Sequence, residues 1–497
     1  MIAVAGSLST PTSSWHDNNS RGVCLVFDRQ ISETTQMRKM KKRNKMDTKE
    51  EKIRSHDMDM LNGPLAGKIF LFSLPLALTS ILQQLFNSAD LAVVGRFSSS
   101  TALAAVGDNS APINLIVSLF VGLSLGVNVV IGMLIGQGRK EKIREAVSTI
   151  FLVAVLSGLI LLPTGELVAR PLLSAMGTPE DVMGLALLYL RIYFFATPFI
   201  MIYNFGSAIL RARGDSARPL IALAISGVIN IGLNLFFVIG FHMSVDGVAY
   251  ATVISNIISS ALVTVFLIRE KGEFHLSLRH LKIHREYLST LFRIGIPAGL
   301  QGMVFSLSNV VIQWAINSFG SSAIAGSTAG QNFEFMAYFI VNAFSQAAVT
   351  FTAQNYGAGK YDRCRRVYVL SMLLGETLTF ALSMTFWFGR DILLQLFTTD
   401  PKVISFAVIR MFWVSNLEIG TGTYEIPGGC LRGMGISMAP TLVVIFGSCV
   451  FRLIYIATFF ASHHTFTTLL MAYPISWAIT GISVQLMYFI MRRKKLA

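Results

Sequence analysis

The chain reads as an all-α integral membrane protein, with twelve transmembrane helices forming two six-helix lobes related by an internal repeat. Three observations predict this. Of the 497 residues, 53% are hydrophobic and only 14% charged, against roughly 25% charged in a soluble domain. The charges sit in short clusters between apolar runs, many of them longer than the ~20 residues a helix needs to cross a ~30 Å hydrocarbon core. A loop motif in the first half also recurs in the second half at a fixed offset.

By hydropathy the first six spans lie near residues 69–94, 103–135, 146–168, 186–210, 219–240 and 248–268. The second six lie near 291–319, 324–356, 367–388, 404–431, 440–461 and 469–491. Alternate connections hold very different numbers of Lys and Arg. One side carries 22, including Arg139, Lys140, Lys142 and Arg144, the central linker from Arg269 to Arg293, and the terminal run Arg492 to Lys495. The other side carries 4, namely Arg96, Arg170, Arg390 and Lys402. Basic residues stay on the cytoplasmic side, so both termini are expected there, with the chain multi-pass in the inner (plasma) membrane. The net charge of +14 is therefore a topology signal, and no nucleic-acid partner is expected.

Residues 1–61 are polar, carry a mixed-charge run from Arg38 to Arg54, and hold no apolar stretch long enough for a signal peptide. The expected division is a disordered cytoplasmic tail over 1–61, an N-terminal lobe over 62–270, a cytoplasmic linker over 271–286, a C-terminal lobe over 287–491 and a basic tail over 492–497. The tail is equally well read as the product of an upstream start codon, because Met46, Met58 and Met60 all precede the first span. The four cysteines, Cys24, Cys364, Cys430 and Cys449, show no pairing or metal-ligand spacing.

The repeat organises the rest. Gly136-Gln137-Gly138-Arg139-Lys140 recurs as Gly357-Ala358-Gly359-Lys360-Tyr361, an offset of 221 residues. Leu210-Arg211, Gly214 and Pro219 match Leu431-Arg432, Gly435 and Pro440 at the same offset, and Pro75 matches Pro297 at 222. Six helices per unit is an even number, so both copies insert in the same orientation. The lobes are then related by an axis along the membrane normal, with a site at their interface or within one lobe, as in secondary transporters.

The chain resembles the multidrug and toxic compound extrusion (MATE) family of transporters from Asn62 onward. The resemblance rests on Ala89-Asp90-Leu91-Ala92-Val93-Val94-Gly95-Arg96 with Ala102-Leu103-Ala104-Ala105-Val106-Gly107, on Ile209-Leu210-Arg211-Ala212-Arg213-Gly214-Asp215, and on Gly247-Val248-Ala249-Tyr250-Ala251-Thr252. In the second lobe it rests on Gln354-Asn355-Tyr356-Gly357-Ala358-Gly359 and Leu431-Arg432-Gly433-Met434-Gly435. It implies secondary active efflux of small organic, usually cationic, compounds in exchange for H⁺ or Na⁺. No cofactor beyond that coupling ion is implied, and a monomer in the bilayer is expected.

Acids inside lipid are costly and point to function. Asp90 lies 22 residues past Lys68, roughly 33 Å of helix rise, which puts it in the outer half of the membrane. Gln83, Asn87 and Asp90 share one helix face. A carboxylate in a partly dry cavity can load and release a proton near neutral pH, and the family's first-helix aspartate, which matches Asp90, carries ion coupling. The plainer alternative is that Asp90 only caps its helix near water. Asn230 and Asn234 share a face of the fifth span, and Asn234 stands where many relatives have aspartate. These two asparagines, and Asn204 on the fourth span, line a cavity or bond helix to helix.

In the second lobe Gln301, Asn309, Gln313 and Asn317 stud the seventh span, and Gln301, Asn309 and Gln313, with Glu334, are expected to line a substrate cavity, as Gln83 and Asn87 are in the first lobe. That span has no acid, and Phe305 stands where one branch of the family has one. Glu334, Glu376, Glu418 and Glu425 supply acids on later spans. Glu425, the repeat counterpart of Asn204, is assigned to ion coupling or to an ion pair with Arg452, which the sequence offers as the only deep basic residue of this lobe. Arg211 and Arg432 are expected to anchor cytoplasmic turns to headgroups.

A primary pump would need a phosphate-cradling G-x-x-x-x-G-K-[ST] loop, which the sequence lacks. All eight histidines fall in the tail or loops, so no zinc or general-base site is expected at depth. A lipid or lipid-linked saccharide flippase of the same superfamily is the alternative function. It would call for a strongly cationic cavity, whereas the candidates here are Asp, Glu, Asn and Gln.

Overall fold

The computed structural model describes residues 58–495, and its regular structure is helical throughout. Twelve helices are long and apolar enough to cross a membrane. The first six are α1 (Leu65–Phe97), α2 (Thr101–Gly136), α3 (Lys140–Ala175), α4 (Glu180–Arg213), α5 (Ala217–Gly240) and α6 (Val245–Arg269). The second six are α7 (Arg285–Asn317), α8 (Ser321–Gly357), α9 (Tyr361–Phe388), α10 (Pro401–Gly433), α11 (Met438–Phe460) and α12 (Phe466–Lys495). Each contains the span read from hydropathy apart from a residue or two at its far end, and most run several residues past it, because the hydrogen-bonded helix continues into the interface after the apolar run stops.

Not every helix is regular. α10 breaks at Val414, where φ is −114° and ψ is −65°, and passes through a tight turn at Ser415–Leu417 before resuming at Ile419. No proline causes this break; Pro427 lies within the resumed segment. The carbonyl of Ser415, freed by the break, accepts a 2.9 Å hydrogen bond from Ser383 Oγ of α9. A neighbouring helix thus satisfies the backbone group that lipid could not. α5 and α11 carry wide π-type turns at Phe236–Gly240, Ile445–Val450 and Ile456–Phe460.

The lobes meet at the end that bears the basic connections. There one apolar core joins α1 residues Leu65, Ile69 and Phe72 to Phe344, Ala347 and Phe351 of α8 and Cys430 of α10. α2 packs along α7 with almost no side chain between them: a Cβ placed on Gly122 would lie 2.2 Å from the backbone N of Gly299. Further along, a Cβ on Gly136 would lie 2.1 Å from the Gln354 carbonyl oxygen of α8. Small residues allow this approach, which gives van der Waals contact where no hydrophobic effect drives helices together. At the opposite end each lobe has its own core. One gathers Val93, Val94, Tyr189, Val238 and Val248, and the other Ile312, Tyr455, Phe466 and Tyr473. Among the described residues no core cluster joins the lobes at that end, so the molecule is sealed at its basic end and divided at the other.

Two polar clusters fix the basic end. Glu270 receives Arg213 and Arg218, and Arg218 also reaches Asp215. Burial opposes a charge on Glu270, but the two guanidiniums outweigh it and hold the carboxyl below the usual glutamate range. The connection between the lobes is docked on α3, with Lys282 N donating to Ser148 Oγ at 2.8 Å and His284 N to Thr149 Oγ1 at 3.0 Å. Residues 1–57, most of the expected tail, lie outside the described residues. Met58–Leu61, assigned to that tail from the sequence, is instead packed against the lobes, with Met60 fully buried.

Candidate functional site

A cavity of about 400 Å³ lies inside the first lobe, walled by α1, α2, α4, α5 and α6. Gln83, Asn87, Asp90, Asn204 and Asn230 all line it. The α1 residues reach it because spacings of four and seven bring Gln83, Asn87 and Asp90 to one face. Asn234 sits just behind the wall, fully buried. Its Nδ2 donates to Asp90 Oδ1 at 2.5 Å and to Asn230 Oδ1 at 3.2 Å. Asn234, at the position where the resemblance implies an aspartate in many relatives, therefore holds Asp90 directly. Asp90 is 8% exposed, and among the described residues it has no basic partner within ion-pair distance.

The sequence reading missed the opposite walls. Tyr189 and Tyr193 of α4 stack with ring centroids 6.4 Å apart and face the cavity. α6 contributes Thr252, Ser255, Asn256 and Ser259. The signal was present: spacings of three, four and seven make a polar stripe on α6, and Tyr189, Tyr193, Ile200 and Asn204 fall on one side of α4. Hydropathy averaging hides both patterns, because tyrosine, serine and threonine are cheap to place in a span.

The second lobe treats its acids differently. Glu334 and Glu425 are each 8% exposed, as Asp90 is, so burial does not distinguish the three; their partners do. Arg410 of α10 donates to Glu334 Oε2 from Nε at 3.0 Å and from Nη2 at 2.8 Å, and to Ser327 Oγ at 2.7 Å. Glu425 faces Arg432, with Nη1 to Oε2 at 3.8 Å, and Gln301 joins them: its Nε2 donates to Glu425 at 3.4 Å while its Oε1 accepts from Arg432 at 2.7 Å.

This overturns the expected Glu425–Arg452 pair. Arg452 Nε donates to Ser476 Oγ at 2.9 Å, and its guanidinium lies 4.3 Å from the Tyr473 ring centroid. Arg410, not only Arg452, is a deep basic residue of this lobe, and both are buried. Arg432 is no headgroup anchor. α10 runs on to Gly433, and the packing of α7 and α8 around its last turn leaves Arg432 only 4% exposed. Arg432 stands seven residues from Glu425, two turns along one face, so the pair closes within α10.

The rest of the α7 seam is not drawn in. Asn309 is exposed, and Gln313 Nε2 donates to its own neighbour Asn317 Oδ1 at 2.9 Å. Glu376 is half-buried against Gly422, and both its oxygens lack a hydrogen-bond partner; Glu418 Oε2 is likewise buried without one.

The MatE family model matches twice, at residues 75–236 and 297–458, the same two units that the internal repeat defines. A probable multidrug resistance protein of Bacillus subtilis, YoeA, is 29% identical over 437 residues, covering 86% of this chain and 94% of that protein. An FAD transporter of Shewanella oneidensis is 27% identical over 357 residues, covering 69% and 77%. Among solved structures, a crystal structure of MATE in the bent conformation superposes with a TM-score of 0.80 at 20% identity, covering 88% of this chain and 98% of that one. An outward-facing multidrug resistance MATE transporter of the MOP superfamily gives 0.79 at 21%, covering 88% and 97%.

Proposed function

The chain belongs to the MatE family of multidrug and toxic compound extrusion transporters, and from that premise we propose that it exports small organic cations by antiport with H⁺ or Na⁺. The observation that carries this reading is the first-lobe cavity, where one buried carboxylate, Asp90, faces carboxamides, hydroxyls and stacked tyrosines with no basic side chain among the described residues to balance it. Such a lining attracts a positive charge. Tyrosine faces add to that attraction by their quadrupole, worth roughly 0.5–2 kcal/mol. The acids Glu334 and Glu425 are each matched by an arginine and join helices of the second lobe. Glu376 and Glu418 keep oxygens without a hydrogen-bond partner among the described residues, but neither lines this cavity, and Asp90 is the acid that does, which supports it as the group that exchanges an ion for a substrate.

A coupling ion and a cationic substrate that share one carboxylate exclude each other. Binding of the ion releases the substrate, and the two loads favour states facing opposite sides of the membrane. The shared core at the basic end and the separate cores at the other support a state closed at the basic end. With the basic connections in the cytoplasm, such a state would release a substrate outside and accept an ion. The flippase alternative needs a cationic cavity, and no arginine or lysine lines this one.

The test is efflux of a fluorescent organic cation from vesicles that hold the purified protein. Efflux that follows an imposed H⁺ or Na⁺ gradient and collapses when the gradient is dissipated is the expected result. Efflux indifferent to both gradients would refute antiport.

A further inference from the structure

We infer that residues 58–63 form a strap that holds the basic end of the molecule shut and must let go before the lobes can part there. The strap lies between a turn of each lobe. On one side is the α4–α5 turn, where Gly214, at φ +110°, comes so near that a Cβ there would lie 2.6 Å from the Met58 carbonyl oxygen. On the other side is the α8–α9 turn of the second lobe. Asn355 Nδ2 and Arg363 Nη2 donate to the Met60 carbonyl at 3.1 and 3.2 Å, and Arg363 Nη1 donates to the Gly63 carbonyl at 3.0 Å. Lys360 Nζ donates to the Leu61 carbonyl at 2.9 Å and to Asn62 Oδ1 at 3.0 Å.

Between these turns the Met60 side chain is fully buried in the core that α1 shares with α8, α9 and α10. The segment then runs straight into α1, the helix that carries Asp90. Its bonds to Asn355, Lys360 and Arg363 cross from one lobe to the other, so they exist only while the basic end is closed. An interaction made in one of two states shifts their populations by its own strength. Loosening the strap therefore favours the state open at the basic end and leaves both lobes folded.

This inference rests on the alternating lobes of the preceding section, and its test reads opening directly rather than through efflux. Thr350 of α8 is fully buried at the seam between the lobes, where its Oγ1 accepts from Asn128 Nδ2 of α2 at 3.1 Å. In the full chain, with the four native cysteines changed to alanine, Thr350→Cys reports separation of the lobes by its rate of maleimide labelling. Thr379→Cys, buried on α9, reports unfolding.

Met60→Asn and Arg363→Gln should each raise labelling at position 350 about fivefold or more and leave position 379 unlabelled. An unchanged rate in either variant, or an equal rise at position 379, would overturn the strap. If labelling at 350 answers an imposed ion gradient but neither variant, the strap fails while alternation stands. If it answers nothing, both fail.

Discussion

At the scale of single residues, the buried acids differ in what faces them: Glu334 and Glu425 face arginines, whereas Asp90 faces Asn234 and the first-lobe cavity. Glu425 and Arg432 hold structure together with Gln301, buried where neither charge can be left alone. Arg432→Gln should destabilise the protein by roughly 3 kcal/mol, the usual cost of stranding a buried charge. Adding Glu425→Gln should recover much of that, because the remaining group is then neutral. Melting temperatures of the two single variants and the double variant check this, and additive losses would contradict pairing. The sequence showed both residues but not the pair. Arg432 stands beside Gly433 and Gly435, so it reads as a turn residue, and only the packing of α7 and α8 shows that the turn is covered. Arg410 escaped notice because its partner Glu334 lies 76 residues away on another helix, a distance that no local spacing rule spans. Asp90 was legible because Gln83 and Asn87 mark its face of α1 by helical periodicity, whereas its bonded partner Asn234 lies on α5.

Among the elements, helix position was easy to read and helix irregularity was not. Hydropathy found all twelve spans, since a long apolar run has one use in a bilayer. It could not find the break in α10, which depends on Ser383 of another helix to satisfy a freed carbonyl, and prolines pointed elsewhere. Glycine shows the same division between local and tertiary causes. Gly232 of α5 has open space where a Cβ would go, whereas Gly122 of α2 meets the α7 backbone. Gly232→Ala should be neutral or stabilise the helix by about 0.5–1 kcal/mol. Gly122→Ala should lower the melting temperature by several degrees, since the clash is with backbone and no side chain can turn aside. Thermal unfolding of both variants decides this: equal behaviour would mean that the α2–α7 seam is looser than it looks.

Across the whole molecule, the duplication is the feature that sequence and structure state most fully alike, with motif offsets of 221 to 222 residues and two matched units of the family model. The two halves nonetheless do different work. The first lobe encloses a cavity lined by the carboxylate of Asp90, and the second pairs two of its acids, Glu334 and Glu425, with arginines. On the proposed reading, coupling belongs to the first lobe with Asp90 at its centre. Asp90→Asn keeps the size of the side chain but removes the charge that ion and substrate are proposed to compete for. The most direct measurement is gradient-driven efflux of a fluorescent cation by Asp90→Asn, at matched amounts of folded protein in the vesicle membrane. Efflux should fall roughly tenfold or more, toward the level of empty vesicles, with Asp90→Glu retaining part of the activity because its carboxylate survives. Asp90 lies inside α1 and is bonded to Asn234 of α5, so it does not cap its helix. An Asn variant that exports at the wild-type rate would mean that Asp90 only joins α1 to α5, a bond asparagine can also accept, and would contradict the account.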